Sequence, residues 1–206
     1  MNLKMLGEVG LHYILKNYTF DSVLDVGSGE GVHSDLFLEN DKKVFAVDMG
    51  NSPYFESRKS GFGDIEFVVG DFNTYDFGDA QYDCVWASHI LEHQRNVGMF
   101  LEKIVSLTND DGVICITVPP MKTNIVGGHV TLWNGGLLLY NLVLCGLDCS
   151  DATILTYGYN ISIIVNKKTF DLPENLSYDM GDIEKLSKWL PSGYDYQGFD
   201  GNILKL

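Results

Sequence analysis

The segment VLDVGSGEGVHSDLFLENDKKVFAVD, Val23 to Asp48, decides the architecture. A short apolar run, Ser22–Val26, stops at three alternating glycines, Gly27, Gly29 and Gly31. Helical spacing follows over Val32–Asn40, and a second apolar run, Val44–Val47, closes on Asp48. A buried strand, a tight turn, a helix and another buried strand make a βαβ unit, the building block of a parallel sheet. Glycine suits the turn because it has no Cβ: the chain bends sharply and a ligand can lie against the backbone.

The pattern continues outward from that unit. Further β-rich runs lie at Ile65–Val69, Cys84–Ala87 and Val113–Val118, and helical spacing returns over Val97–Leu107. After Pro119-Pro120 the texture changes to a Gly-rich loop that ends at Asn134, an N-cap for a helix over Gly135–Cys145. The runs Ala152–Tyr157 and Asn160–Val165 are too close for a crossover helix, so they pair antiparallel. The expectation is an α/β, Rossmann-like, mostly parallel sheet with helices on both faces and a reversed strand near the C-terminus. A chain of 206 residues reads as a single domain. Residues 1–20 form an N-terminal cap, 21–118 the ligand-binding core, 119–165 the acceptor loop and last strands, and 166–206 a polar extension. That extension holds one helical stretch, Asp182–Trp189, stopped by Pro191.

Spacing and charge around the glycines narrow the ligand. The dinucleotide fingerprint is G-x-G-x-x-G, but here Val32 stands where its third glycine belongs. Asp25 precedes the loop and Glu30 lies within it. Carboxylates there would repel a diphosphate and suit a cation, which favours a sulfonium nucleoside over a nicotinamide dinucleotide. Asp48, at a strand end, can accept ribose hydroxyls. In Gly70-Asp71-Phe72 a carboxylate can meet an adenine amino group while a ring packs beside it.

These stretches, LDVGSGEG, VFAVD, GDFNTYDF and YDCVWASHILEH, resemble the successive motifs of class I S-adenosylmethionine-dependent methyltransferases. The resemblance covers about Asp21 to Val118 and implies a seven-stranded sheet. It implies that Asp25 and the loop Gly27, Ser28, Gly29 and Gly31 hold the methionine part of S-adenosylmethionine. It also implies that Asp48 takes the ribose with Met49 beside the adenine, that Asp71 and Phe72 recognise adenine, and that Ser88 and His89 lie along the cofactor. The run from Gly127 to Val165 is similar, more loosely, to methyltransferases of bacterial polysaccharide and sugar biosynthesis. That likeness implies O-methylation of a sugar or glycan hydroxyl, with S-adenosylhomocysteine as the other product. Another small metabolite as acceptor, and an inactive cofactor-binding subunit, stay open as alternatives.

His89-Ile-Leu-Glu-His93 also fits H-x-x-E-H, a zinc peptidase pattern that places two histidines on one helix face. The segment follows directly from a buried strand, whereas that pattern needs a long helix and a further ligand, so no metal is expected. His93 is left as an acceptor-side residue or a packing histidine. In the loop PPMKTNIVGGHVTL, Pro119–Leu132, His129 is the candidate general base for a hydroxyl acceptor. Trp133 is a candidate stacking ring or a staple for the helix that follows. Lys122 or Arg95 would be needed for a nucleotide-linked sugar, and Tyr157, Tyr159, Tyr178, Tyr194 and Tyr196 are candidate cleft residues.

The formal charge of −14 and the two arginines argue against a nucleic-acid partner or an anionic membrane surface. The four cysteines have no CxxC spacing, which argues against a zinc ribbon or redox centre. The N-terminal stretch has no long apolar core with a cleavage site, and the greasiest run, Leu137–Leu147, is too short to span a bilayer. A cytoplasmic protein is expected, with a small-molecule or sugar acceptor as partner and homodimerisation left open.

Overall fold

The computed structural model describes residues 5–58, 63–179 and 181–193. Helix α1 (Glu8–Asn17) leads into β1 (Ser22–Val26), α2 (Val32–Glu39), β2 (Lys43–Asp48), a short α3 (Pro53–Glu56) and β3 (Glu66–Val69). Then come β4 (Tyr82–Ser88), α4 (Val97–Leu107), β5 (Thr108–Val118) and α5 (Gly135–Leu144). Strands β6 (Thr153–Tyr157) and β7 (Asn160–Asn166) and helix α6 (Asp182–Leu186) follow. Seven strands join one sheet in the order β3-β2-β1-β4-β5-β7-β6. Pairs from β3 through β5 are parallel, and β7 runs antiparallel to both β5 and β6. This is the expected Rossmann-like sheet with its reversed strand.

Strand alternation explains the two helical layers. Val23 of β1 and Cys84 and Trp86 of β4 face α1 and α2, meeting Leu11, Ile14 and Phe37. Leu24 and Val26 of β1 and Val85 and Ala87 of β4 point the other way, towards α4 and α5. The central strands are therefore apolar on both faces. Asp25 shares the Val23 face and so lies beneath α2. Asn134 caps α5 as expected, its side chain accepting the Leu137 N–H at 2.8 Å.

The C-terminal extension differs in detail from its sequence reading. The expected helix over Asp182–Trp189 breaks into α6 and a 3-10 turn, Ser187–Trp189. Stacking of Trp189 on Phe170, ring centroids 3.7 Å apart, accompanies the tighter winding. Leu186 and Leu190 are buried in the α4–α5 core, so this part of the extension covers that face. Tyr194 and Tyr196 lie outside the described residues. No helix among the described residues is long and apolar enough to cross a membrane.

Register positions the site. Val26 pairs with Val47 on one side and Ala87 on the other, so β1, β2 and β4 end at one level. Strand order reverses at β1, and in open α/β sheets ligands bind in the crevice at such a point. Gly27, Asp48 and Ser88 stand around that crevice.

Phe100 on α4 is fully buried, with its ring 5.0 Å from that of Phe72. Phe100→Ala is expected to lower stability by about 3–5 kcal/mol through lost burial and a residual cavity. Denaturant titration measures this, and a loss below about 1 kcal/mol would show that α4 does not anchor this core.

Candidate active site

The glycine loop is shaped by what crosses it. Gly27 has φ 75°, and a Cβ there would stand 2.9 Å from the Ile90 side chain. Gly31 has φ 80°, and a Cβ there would stand 1.4 Å from Nη1 of Arg58. The Arg58 guanidinium donates to the Glu30 carbonyl at 2.8 Å and to Asp35 at 3.0 Å, lying across the start of α2. The Arg58 tip could shift aside, so it is the left-handed backbone that requires glycine at position 31. Asp48 ties the loop to β2: its carboxylate accepts the Gly29 N–H at 2.9 Å and the Gly50 N–H at 2.8 Å.

The three carboxylates expected at the ligand divide their roles. Asp25 is 1% exposed and accepts a hydrogen bond from Ser34 of α2 at 2.5 Å. Burial pushes its carboxyl from an ordinary 3.8 up to about 7, partly offset by the Ser34 bond. Glu30 is exposed and turned towards α3, where it accepts from the Ser57 hydroxyl at 3.0 Å. The negative charge facing the crevice is therefore that of Asp48. Of the two acids that flank the glycines in sequence, Asp25 is buried against Ser34 and Glu30 turns to Ser57.

The remaining cofactor residues also separate. Met49 is 58% exposed beside Asp48, open to a flat ring. Asp71 accepts from the Asn73 backbone and side chain at 2.9 and 3.0 Å, which holds the turn after β3. The Phe72 ring sits in the core against Phe77 and Phe100, so the expected adenine contact from that ring is corrected to a packing role. The hydroxyls of Ser28 and Ser88 are buried with no hydrogen-bond partner. Two orphaned hydroxyls at the ends of β1 and β4 are what a polar ligand in the crevice would satisfy.

Beyond β4 the chain gathers histidines around one carboxylate. His89 takes a left-handed conformation, φ 55°, and Leu91–His93 form a 3-10 turn. Glu92 is 1% exposed, and neither of its oxygens makes a hydrogen bond. Its Oε1 lies 3.3 Å from His89 Nδ1, 3.9 Å from His93 Nε2 and 4.0 Å from His129 Nε2. Burial holds His129 below the ordinary imidazole value, with Glu92 opposing the shift. The loop after β5 brings His129 here by hanging on the Glu92 carbonyl, which accepts the N–H groups of Val130 and Thr131 at 2.8 and 3.2 Å. Glu92 and Asn160 are the residues that sequence reasoning did not assign; the H-x-x-E-H pattern was the available signal for the first.

On the acceptor side, Met121, Lys122, Val126, His129, Trp133 and Tyr159 help close a cavity of only about 10 Å³. That is at the limit for one water, so an acceptor requires the loop to shift. Lys122 lies 4.3 Å above the Tyr159 ring. Trp133 is 3% exposed, and its indole N–H donates to Thr131 at 3.0 Å, so it is the staple and not a free stacking face. Arg95 is exposed, and Tyr178 lies before α6, its N–H donating to Asp182 at 2.6 Å. Tyr157 donates to or accepts from Ser162 and accepts the Gly10 N–H at 3.0 Å, which fixes α1 to the sheet.

Residues 24–116 match the family model described as Methyltransferase domain. The fold is that of the class I methyltransferases. Among solved structures, a Burkholderia thailandensis 1,6-didemethyltoxoflavin-N1-methyltransferase, bound to 1,6-didemethyltoxoflavin and S-adenosylhomocysteine, has a TM-score of 0.63. It is 23% identical, over 80% of this chain and 77% of that one. A SAM-dependent methyltransferase from Archaeoglobus fulgidus has a TM-score of 0.60 at 18% identity, over 78% of this chain and 94% of that one. A Methanocaldococcus jannaschii protein is 33% identical over 61 residues, 28% of this chain. The chain spans about a quarter of that relative, 24% of its length.

Asp25 supplies a test of this electrostatic layout. A carboxyl raised to about 7 contributes stability that is full below about pH 4 and is lost as the pH rises through 7. Asp25→Asn, which carries no titrating group, is expected to gain on wild type by up to roughly 1.4 kcal/mol per pH unit across that window. Denaturant unfolding at a series of pH values reads the difference, and a difference flat with pH would contradict a neutral buried carboxyl.

Proposed function

We propose that the chain is an S-adenosylmethionine-dependent methyltransferase that methylates a hydroxyl of a small acceptor, with sugars or glycans as the leading class. The observation that carries the cofactor reading is the crevice at the ends of β1, β2 and β4. One carboxylate there, Asp48, pins the glycine loop, and two buried hydroxyls, Ser28 and Ser88, have no partner. The cofactor, when bound, supplies a methyl group on a positively charged sulfur.

The chain's own residues do the rest. Asp48 retains lone pairs for ribose hydroxyls after accepting from Gly29 and Gly50. Met49 packs beside the adenine, and the Asp71 turn borders it. Ser28 and Ser88 bind polar groups of the cofactor, and the Gly27–Gly31 turn lets it lie against the backbone. The acceptor side belongs to His129, with His93 beside it and Glu92 behind. Alignment of donor and acceptor accounts for most of the rate in a displacement of this kind. His129 faces the small cavity and is the residue placed to take the proton of an attacking hydroxyl. Tyr159, with Lys122 above it, replaces Trp133 as the ring available to a sugar.

The Burkholderia thailandensis neighbour favours a second reading, in which the acceptor is another small metabolite. Release of S-adenosylhomocysteine across a panel of sugars, glycans and heteroaromatic acceptors separates the two. Binding of cofactor without turnover on any of them would support an inactive binding subunit.

Two outcomes are expected. Asp48→Ala should weaken S-adenosylhomocysteine binding by about 1–3 kcal/mol in calorimetry, from the loss of ribose hydrogen bonds and of loop support. Saturation by a nicotinamide dinucleotide, with no heat from the methyl donor or its product, would overturn the cofactor assignment. His129→Ala should reduce turnover while leaving cofactor affinity close to wild type; unchanged turnover would remove His129 from the chemistry.

A further inference from the structure

We propose that Glu92, His93 and His129 form a binding site for one divalent transition-metal ion beside the acceptor cavity. The site stands on its own geometry; its use in activating an acceptor hydroxyl rests on the function proposed above.

The first support is the direction of the nitrogen lone pairs. His93 Nδ1 lies 2.8 Å from the Gly128 carbonyl, which can only accept, so Nδ1 carries the hydrogen. In the neutral ring Nε2 then turns a bare lone pair towards Glu92. His89 is fixed in the same way. Asn160 Oδ1 accepts the Gly7 N–H at 3.0 Å, and its Nδ2 donates to the Tyr157 carbonyl at 3.1 Å, so the amide orientation is set. That oxygen accepts from His89 Nε2 at 2.8 Å, so in the neutral ring His89 Nδ1 is bare, 3.3 Å from Glu92 Oε1. Lone pairs aimed at a carboxylate repel it unless a positive charge, a metal ion or a proton on the ring, stands between them. Backbone and amide acceptors on the far nitrogen are also how metal-binding histidines are held.

The second support is Glu92 itself. It is 1% exposed with both oxygens unbonded, an arrangement that is costly for a carboxylate without a compensating positive charge. The third is spacing. The donor atoms of Glu92, His93 and His129 all lie within 4.8 Å of one another. Donors each about 2.1 Å from one ion stand about 3 to 4.2 Å apart, as judged from tetrahedral and octahedral geometry. The distances of 3.9 and 4.0 Å from Glu92 are about half an ångström wider than the tetrahedral separation of about 3.4 Å, so the three side chains close slightly on an ion. Two imidazoles and one carboxylate suit zinc, iron or cobalt better than magnesium or calcium, and three protein ligands leave a position open. The left-handed turn at His89 is the conformational strain through which this constellation is assembled.

The H-x-x-E-H stretch, expected not to bind metal, thus gains its missing ligand from the loop after β5. An ion held there would polarise the acceptor oxygen and ease loss of its hydroxyl proton to solvent water, with His129 a ligand in place of a base.

The test uses the untagged chain dialysed against chelator and then titrated with Co²⁺, followed by calorimetry and by the visible absorption of the ion. One Co²⁺ per chain is expected, with affinity falling at least about 100-fold in His129→Ala and in Glu92→Gln, since even outer-shell changes cost 10–100-fold. S-adenosylhomocysteine affinity, read on the same samples, should stay near wild type in both variants and so reports that they are folded. Co²⁺ binding no tighter in wild type than in His129→Ala, or undiminished in Glu92→Gln, overturns the metal site. Failure of Co²⁺ with retained S-adenosylhomocysteine binding sinks this inference alone, whereas the reverse result sinks the cofactor reading and leaves the metal site standing.

Discussion

The crevice depends on one carboxylate shared between two turns. Asp48 ends β2 and accepts N–H groups from the glycine loop after β1 and from its own following turn. Those amides sit at strand ends, where no ladder partner exists for them. Without the carboxylate they would face the crevice unpaired, and the loop would lose its side-chain tie to the end of β2. The level match of β1, β2 and β4, set by parallel register, is what lets a single side chain reach both turns. Sheet register therefore sets where the Asp48 carboxylate can reach both turns.

Much of this was legible in the sequence because the deciding signals are local. The βαβ unit at Val23–Asp48 shows its two apolar runs, its glycine turn and its terminal acid within one window. Strand β1 begins and ends where the apolar run does, and Asn134 caps α5 through its own side chain. The reversal of β7 followed from a turn too short for a crossover. Each of these depends on residues a few positions apart, where propensity and sterics outweigh tertiary context.

The site was less legible where its parts come from distant segments. Asp25 and Glu30 flank the loop in sequence, yet strand alternation sends one beneath α2 and the other out towards Ser57. Phe72 follows Asp71 directly, but its ring turns into the α4 core, where burial of an aromatic outweighs exposure at a ligand edge. The histidine cluster is the extreme case. His129 reaches Glu92 through backbone bonds to the Glu92 carbonyl, and Asn160 orients His89 from a strand on the far side of β5.

The molecule also shows why cavity size alone is a poor guide to function. A cavity of about 440 Å³ opens near Ser22, Lys43, Phe45, Tyr75 and Tyr82, at the amino ends of β1, β2 and β4. The cavity beside His129 at the other end is far smaller. Yet among the described residues none of the buried polar side-chain atoms without a partner lines the larger space, and the Ser22 hydroxyl there donates to Asp83. Among the described residues the orphaned hydroxyls of Ser28 and Ser88 and the unbonded buried carboxylate of Glu92 lie at or just beyond the carboxyl ends of β1 and β4. A folded chain keeps unsatisfied polar atoms only where surrounding structure enforces them. Their concentration at one end of the sheet identifies the working end more securely than volume does, because it marks where the protein is chemically incomplete without a ligand.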